Sequence, residues 1–229
     1  MTVSLSGISS MATRHLLAEL AQTYCAEYGV PVRIESVGGV DAARRIAAGE
    51  RFDFAVLASD AVDRLIAAGH LVAASRTDVV RSPVAVAVRS GAAHPDIGSE
   101  AALQAAVLAA RAIGYSTGPS GNALLALFER WGLADRLCDR LCQAPPGVPV
   151  AKLVASGEVD LGFQQLAELQ GTPGVQVLGP LPPGCAIESV FTAACCTTCA
   201  QPQAVQAWLD YLRAPQTAEA KRRHGMQPA

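Results

Sequence analysis

The sequence lacks long apolar runs and has little excess charge of either sign. The longest apolar stretches, such as residues 101–113, are interrupted by Gln104 and Arg111, whereas a membrane-spanning helix needs roughly 20 apolar residues in a row. With 18 basic and 20 acidic residues the formal net charge is −2, so no basic field attracts nucleic acid or an anionic membrane. We therefore expect a soluble globular protein that neither binds nucleic acid nor inserts into a membrane.

Signals for export, metal binding and nucleotide binding are also missing. Residues 1–6 contain neither the basic segment nor the apolar segment of a secretory signal. The sequence as written thus predicts a cytoplasmic protein, or a periplasmic one if a leader has been removed. Seven cysteines are an odd number, which does not suit an export-type disulfide framework.

The motifs of several cofactor-dependent and hydrolytic enzymes are absent as well. The pattern Cys195-Cys196-x-x-Cys199 has no second ligand pair at zinc-site spacing, and the four histidines are scattered. The sequence holds no G-x-x-x-x-G-K-[ST], no strand-to-helix G-x-G-x-x-G and no G-x-S-x-G. We expect no metal and no cofactor.

What is present is an alternation of apolar strands with amphipathic helices, which is typical of an α/β protein with a mostly parallel sheet. The pattern predicts strands over residues 3–8, 32–37, 54–57, 84–88, 113–116, 159–163, 175–178 and 187–194. It predicts helices over residues 10–28, 41–48, 60–68, 101–109, 119–131, 148–156, 202–212 and 217–223.

Three strand-to-helix turns share one design. They are Ser9-Ser10, Gly38-Gly39 and the segment 118–121 (Gly-Pro-Ser-Gly). In each turn small residues precede a predicted helix, whose first N–H groups have no acceptor within the helix and attract anions. Each turn alone is common in α/β proteins; three together favour an anion-binding site. Arg14 and Arg81 lie near these turns, either as solvated surface residues or as partners of a carboxylate.

Three segments of the sequence resemble the periplasmic molybdate-binding proteins. The segments are 29–54, with Gly38-Gly39-Val40-Asp41; 152–162, with Gly157-Glu158-Val159-Asp160-Leu161-Gly162; and 204–226. The resemblance implies a type 2 periplasmic-binding fold, with two α/β lobes, each a mixed sheet flanked by helices, and a ligand cleft between the lobes. It places residues 1–80 and 192–229 in one lobe and 83–190 in the other, with crossovers near 81–83 and 190–192.

The resemblance also points to ligand-binding positions. The first serine loop of the family falls on the stretch 9–12, and the second falls on Gly38-Gly39-Val40, where the hydroxyls are missing. The third contact loop falls on 117–122, and a tyrosine of the family is replaced by Gln165, with Gln164 beside it. The expected ligand-binding residues are Ser9, Ser10, Met11, Arg14, Gly38, Gly39, Val40, Arg81, Ser82, Thr117, Pro119, Ser120, Gly121, Asn122, Gln164 and Gln165.

Two functions stay open at this point. The first is a binding protein, expected to be monomeric, for a small anion. We expect an organic di- or tricarboxylate, with an oxyanion such as molybdate or sulfate as the alternative. A transporter would be its partner if the protein is exported. The second is a cofactor-independent isomerase or tautomerase of an unsaturated di- or tricarboxylate, because the chain also resembles the aconitate-isomerase-like branch of the superfamily. Such an enzyme needs a base, for which His15 and Asp41 are the candidates.

Overall fold

The computed structural model describes residues 3–229, which divide into two compact units. Unit 1 consists of Met1–Arg81 and Val190–Ala229, and unit 2 of Ser82–Ser189. The two boundaries fall between residues 81 and 82 and between residues 189 and 190, beside the crossovers expected near 81–83 and 190–192.

The strands and helices follow one another in βα alternation. The strands are β1 (Leu5–Ser10), β2 (Val32–Val37), β3 (Phe54–Ala58), β4 (Thr77–Arg89), β5 (Ile113–Tyr115), β6 (Leu141–Gln143), β7 (Leu161–Gln165), β8 (Val175–Pro180), β9 (Glu188–Cys195) and β10 (Gln227–Pro228). The helices are α1 (Arg14–Tyr28), α2 (Gly39–Ala47), α3 (Ser59–Ala67), α4 (Glu100–Ala109), α5 (Pro119–Arg130), α6 (Ala134–Leu137), α7 (Val150–Ser156), α8 (Leu166–Leu169), α9 (Pro202–Arg213) and α10 (Ala218–Arg223).

Several predicted boundaries were wrong. The first predicted helix began at residue 10, but Ser10 still belongs to β1, and a 3₁₀ turn over Met11–Thr13 precedes α1. The strand predicted over 84–88 is β4, which begins seven residues earlier at Thr77. The pattern missed β6, β10, α6 and α8, which are all four residues or shorter.

In unit 1 the first strand occupies the centre of a parallel trio. β1 pairs in parallel with β2 on one side and with β3 on the other, and β9 pairs antiparallel with β3. Phe54 of β3 contacts Trp208 of α9 on one face of the sheet, where α1 also packs. Ala55 and Leu57 of β3 pack on the other face, in a cluster with residues of α2 and α3. Because side chains alternate along a strand, the α1 and α2 connections lie on opposite faces.

Unit 2 repeats this arrangement. β5 is central and pairs in parallel with β6 and β7, while β4 pairs antiparallel with β7 and β8. Val84 and Val86 of β4 share a core with α4 and α5. Ala85 and Ala87 face the opposite way, toward Ala151 of α7. In both units the chain therefore changes faces at the central strand, and the crevice at the carboxyl end of such a switch point is where α/β sheets bind ligands.

The C-terminal helix α10 carries a buried amine. Lys221 is 1% exposed, and its side-chain amine has neither a hydrogen bond nor an ion pair with any residue in 3–229. Its neighbours Arg223 and His224 instead pair with Glu19 of α1. Burial lowers the pKa of Lys221 to about 8 from the usual 10.5. A buried lysine without a partner destabilises the folded state whenever it is charged.

We predict that Lys221→Met stabilises the protein at pH 7 by on the order of 3 kcal/mol. Between pH 8 and 10.5 the unfolded chain binds more protons at Lys221 than the folded chain does, so the stability of the unaltered protein rises with pH in this window. The variant lacks this dependence, and its advantage should fade as the pH approaches 10.5. Urea denaturation at pH 7 and pH 10 measures both effects. The exposed Lys152→Met is the control, and a pH-independent difference would contradict the account.

Candidate functional site

The loop after β1 contains two adjacent serines with different roles. Ser9 is fully buried, and its Oγ lies 2.8 Å from Oγ of Ser36 on β2. Ser10 is half-buried, and its hydroxyl has no hydrogen-bond partner in the described part of the chain. Both serines were expected to contact a ligand. In the described structure the Ser9 hydroxyl joins β1 to β2, and of the two only Ser10 has an unpaired hydroxyl.

The start of α2 lies against that hydroxyl. A Cβ atom built on Gly39 would be 3.6 Å from Ser10 Oγ. The N–H groups of Gly39 and Val40 belong to the first turn of α2, where no acceptor within the helix is available. Val40 is 64% exposed. Gly38 has open space in place of a side chain, and a Cβ on Gly39 would contact only Ser10. This edge therefore offers backbone donors, one hydroxyl and one apolar side chain.

A third helix, which was predicted over residues 60–68 but not counted among the anion-binding turns, starts at the same edge. β3 ends at Ala58, and α3 begins at Ser59 with unpaired first-turn N–H groups. The Ser59 hydroxyl is already engaged, since its Oγ lies 2.7 Å from Thr192 Oγ1, which donates to Asp78 Oδ1 at 2.6 Å. The Ser-Asp pair that follows the apolar strand at 54–57 was the available signal, because serine and aspartate are common at helix starts.

Arg14 and His15 form a pair at the start of α1. Arg14 lines a groove with residues of α1 and β2, including Cys25 and Ile34, which places it on the flank of unit 1. Its Nη2 lies 3.0 Å from His15 Nε2, and because arginine only donates, that nitrogen of His15 accepts. Partial burial, followed by the charge of Arg14, lowers the pKa of His15. Both effects disfavour the charged imidazolium, and the accepting nitrogen is occupied by Arg14.

The other charged candidates near this edge are also exposed or already paired. Asp41 accepts hydrogen bonds from Arg44 through Oδ1. Arg81 is exposed on β4, where its backbone pairs with Gln227 of β10. Ser82, the next residue, is fully buried, and its Oγ has no partner.

In unit 2 the loop between β5 and α5 requires glycine at two positions. Gly118 has a φ of +97°, which residues with side chains rarely adopt. A Cβ atom on Gly121 would lie 1.9 Å from the carbonyl oxygen of Ser116, so only glycine allows α5 to start this close to β5. Ser116 Oγ lies 2.9 Å from Ser120 Oγ. The hydroxyl pair fixes the turn and leaves the N–H groups of residues 120 and 121 at the helix start.

Three other predicted residues of this loop differ in what they can contribute. Pro119 is the first residue of α5 and has no N–H to donate. Thr117 and Asn122 are exposed, and neither side chain has a partner among residues 3–229.

The two glutamines at the end of β7 point to opposite faces. Gln164 accepts from the Ala151 N–H at 3.3 Å and donates to Glu168 at 2.6 Å. Both ends of its amide are used within unit 2, where Gln164 bonds the start of α7; the ligand contact expected for it stays a prediction. Gln165 donates from Nε2 to Ser189 Oγ at 2.7 Å, and its buried Oε1 has no donor.

The described residues contain no group of three or more His, Cys, Asp or Glu side chains able to hold a metal ion. The seven cysteines are free thiols. Burial raises the pKa of both Cys196 and Cys199 to about 12, so these thiols stay protonated. No helix in residues 3–229 is long and apolar enough to cross a membrane.

Comparison with solved structures finds the same fold in anion-binding proteins. The chain is similar to the periplasmic molybdate-binding protein of Azotobacter vinelandii, with a TM-score of 0.80 and 20% identity over 97% of this chain and 98% of that chain. It is also similar to a sulfate-binding protein of Mycobacterium tuberculosis, with a TM-score of 0.79 and 16% identity over 99% and 87%. At these identities the likeness establishes the type 2 periplasmic-binding fold alone.

Sequence comparison goes further. The chain is 33% identical to an aconitate isomerase from a Pseudomonas species, across 98% of this chain and 88% of that protein. Residues 5–227 match the profile of the bacterial extracellular solute-binding proteins. With this match along nearly its whole length, the chain belongs to the family of bacterial extracellular solute-binding proteins.

Proposed function

We propose that this protein binds a small organic anion, a di- or tricarboxylate, at helix starts that directly follow its strands. The observation that carries the proposal is the unpaired Ser10 hydroxyl beside the first N–H groups of α2. A hydroxyl and backbone N–H groups at a helix start are all donors, which suits a carboxylate.

The composition of the same edge favours an organic ligand over an inorganic oxyanion. Residues 38–40 bring no hydroxyl, and Val40, which follows Gly39 in the first turn of α2, exposes 64% of its surface. An apolar side chain at this position suits a ligand with a carbon skeleton. The 33% identical relative is described as an aconitate isomerase, and aconitate is a tricarboxylate. The molybdate- and sulfate-binding proteins share at most 20% identity with this chain.

We predict that Ser10→Ala weakens the binding of trans-aconitate by about tenfold, the effect of one lost hydrogen bond to a charged group. The stability of the protein should hardly change, because the Ser10 hydroxyl has no partner within the described structure. Isothermal titration calorimetry measures the affinity, and urea denaturation measures the stability.

The adjacent Ser9→Ala is the matched control. It removes one side of the hydroxyl pair with Ser36, so we expect a loss of stability of about 1 kcal/mol with little change in affinity. Unchanged affinity in Ser10→Ala would mean that the loop after β1 serves only to start the helix. A larger affinity loss in Ser9→Ala than in Ser10→Ala would contradict the assignment of the two serines.

The second candidate function is an isomerase that moves a proton on an unsaturated tricarboxylate. The observation in its favour is the extent of the match to the aconitate isomerase. The contacts of the two candidate bases count against it, since His15 Nε2 accepts from Arg14 and Asp41 is paired with Arg44. A general base needs a free lone pair within hydrogen-bond reach of the proton that it removes.

We predict that trans-aconitate, incubated with the protein in deuterium oxide, incorporates no deuterium and forms no cis isomer beyond a protein-free control. Proton NMR over several hours measures both processes, after calorimetry has shown that the compound binds. Enhanced exchange would favour the isomerase instead. His15→Gln and Asp41→Asn would then identify the base, since the variant that lacks it should lose exchange while keeping affinity.

We further infer an exported location with a membrane transporter as the partner. The supporting observation is membership of a family described as extracellular. Similar structures include the substrate-binding domain of a putative molybdenum ABC transporter from Clostridium difficile, with a TM-score of 0.78. The cytoplasmic location expected from residues 1–6 stays a prediction, as does the monomeric state.

A further inference from the structure

Unit 2 buries two polar atoms that have no hydrogen-bond partner. Gln165 is 3% exposed, and its Oε1 receives no hydrogen bond. Ser82 is fully buried, and its Oγ is likewise unpaired. Most buried side-chain polar atoms in proteins are hydrogen-bonded, because an unpaired one loses its solvation without compensation. Two exceptions in one region call for a common cause.

The strand register places both residues on one face of the sheet. Gln165 of β7 lies opposite Val84 of β4 in an antiparallel pair, so their side chains share a face. Ser82 is two residues from Val84 along β4 and points to that same face. Diagonal neighbours of this kind lie roughly 7–8 Å apart at Cα, within reach of a glutamine side chain.

This face adjoins the start of α5. β7 and β5 are parallel, with Phe163 opposite Tyr115, so Gln165 lies at the carboxyl end of β7, next to the loop that begins at Ser116. The Gln165 amide is oriented by its bond to Ser189. Gln165 and Ser82 therefore lie at the same edge of unit 2 as the free N–H groups at the start of α5.

The chemistry of the two atoms restricts what can satisfy them. Gln165 Oε1 only accepts hydrogen bonds, whereas the Ser82 hydroxyl can donate or accept. A carboxylate or a fully deprotonated oxyanion has only acceptor atoms and cannot pair with Oε1. A hydroxyl group can donate to Oε1 and accept from Ser82 at the same time.

We propose that Gln165 and Ser82 recognise a hydroxyl group on a ligand at this edge of unit 2, which makes the ligand class hydroxy-carboxylates rather than plain carboxylates. This inference rests on the proposed function and narrows it. A site with buried polar groups rejects an analogue that lacks the matching hydroxyl, because those groups then stay unpaired. An unsaturated tricarboxylate without a hydroxyl, such as aconitate, would bind but would not be the preferred ligand.

The test compares citrate with tricarballylate, which has the same three carboxylates and no hydroxyl. By calorimetry we expect citrate to bind at least about tenfold more tightly to the unaltered protein. In Gln165→Met the citrate affinity should fall to that of tricarballylate, and the tricarballylate affinity should stay the same. Equal affinities in the unaltered protein would overturn the inference while leaving the proposed function intact. Binding of neither compound, nor of trans-aconitate, would overturn the proposed function itself.

Two further variants serve as controls for the effect of Gln165→Met on the two affinities. Gln165→Glu keeps an acceptor and adds a negative charge, so both affinities should fall while the preference for citrate remains. Loss of the preference in this variant would show that the free end of the amide acts as a donor, which would also overturn the inference. Gln176→Met changes an exposed glutamine on β8 and should leave both affinities unchanged.

Discussion

The switch of faces at each central strand determines where this protein presents its donors. β1 and β5 each lie between two parallel strands, and the helices that follow β1 and β2, or β5 and β6, pack on opposite faces of the sheet. In each unit, helix starts from the two faces consequently meet at the carboxyl edge of the parallel strands, where their first N–H groups have no acceptor within the helix. The apolar cores fix this arrangement, and the anion preference follows from the positive ends of the helices.

The hydroxyl and amide groups at these edges form two sets. One set is hydrogen-bonded within the fold, and the other is left for a ligand. Ser9, Ser59 and Gln164 are buried or half-buried, and each is engaged within its own unit. Ser10 and Gln165, next to two of them in sequence, keep one unpaired atom each. At each switch point one polar group is hydrogen-bonded within the fold and its neighbour is not. A ligand that supplies the missing hydrogen bonds would account for this pattern.

The sequence was informative wherever apolar periodicity is strong, and so the core strands and long helices were predicted. β6 and β10, of three and two residues, form through pairing with distant strands, which no local pattern reports. Neighbouring residues such as Ser9 and Ser10 could not be distinguished, because their roles depend on which side of the strand each faces. The turn before α3 was not recognised as a donor site, since it lacks the glycine that marked the α2 and α5 loops.

The burial of Lys221 could not be predicted from the sequence. Its position in a polar-rich helix gives no sign of burial, yet the side chain is 1% exposed and has no partner in the described structure. Only the packing of α10 against α1 and β10 creates this environment. Burying an amine without a partner lowers the stability of the fold, and natural sequences tolerate such local conflicts at few positions.

The central claim is that the ligand is an organic carboxylate, although structural relatives of the protein bind inorganic oxyanions. Calorimetric competition on the unaltered protein tests this claim most directly, with citrate titrated in the presence and absence of saturating molybdate or sulfate. The account predicts tight citrate binding that neither oxyanion displaces at equal concentration. Displacement of citrate by equimolar molybdate or sulfate, or binding of an oxyanion alone, would contradict it.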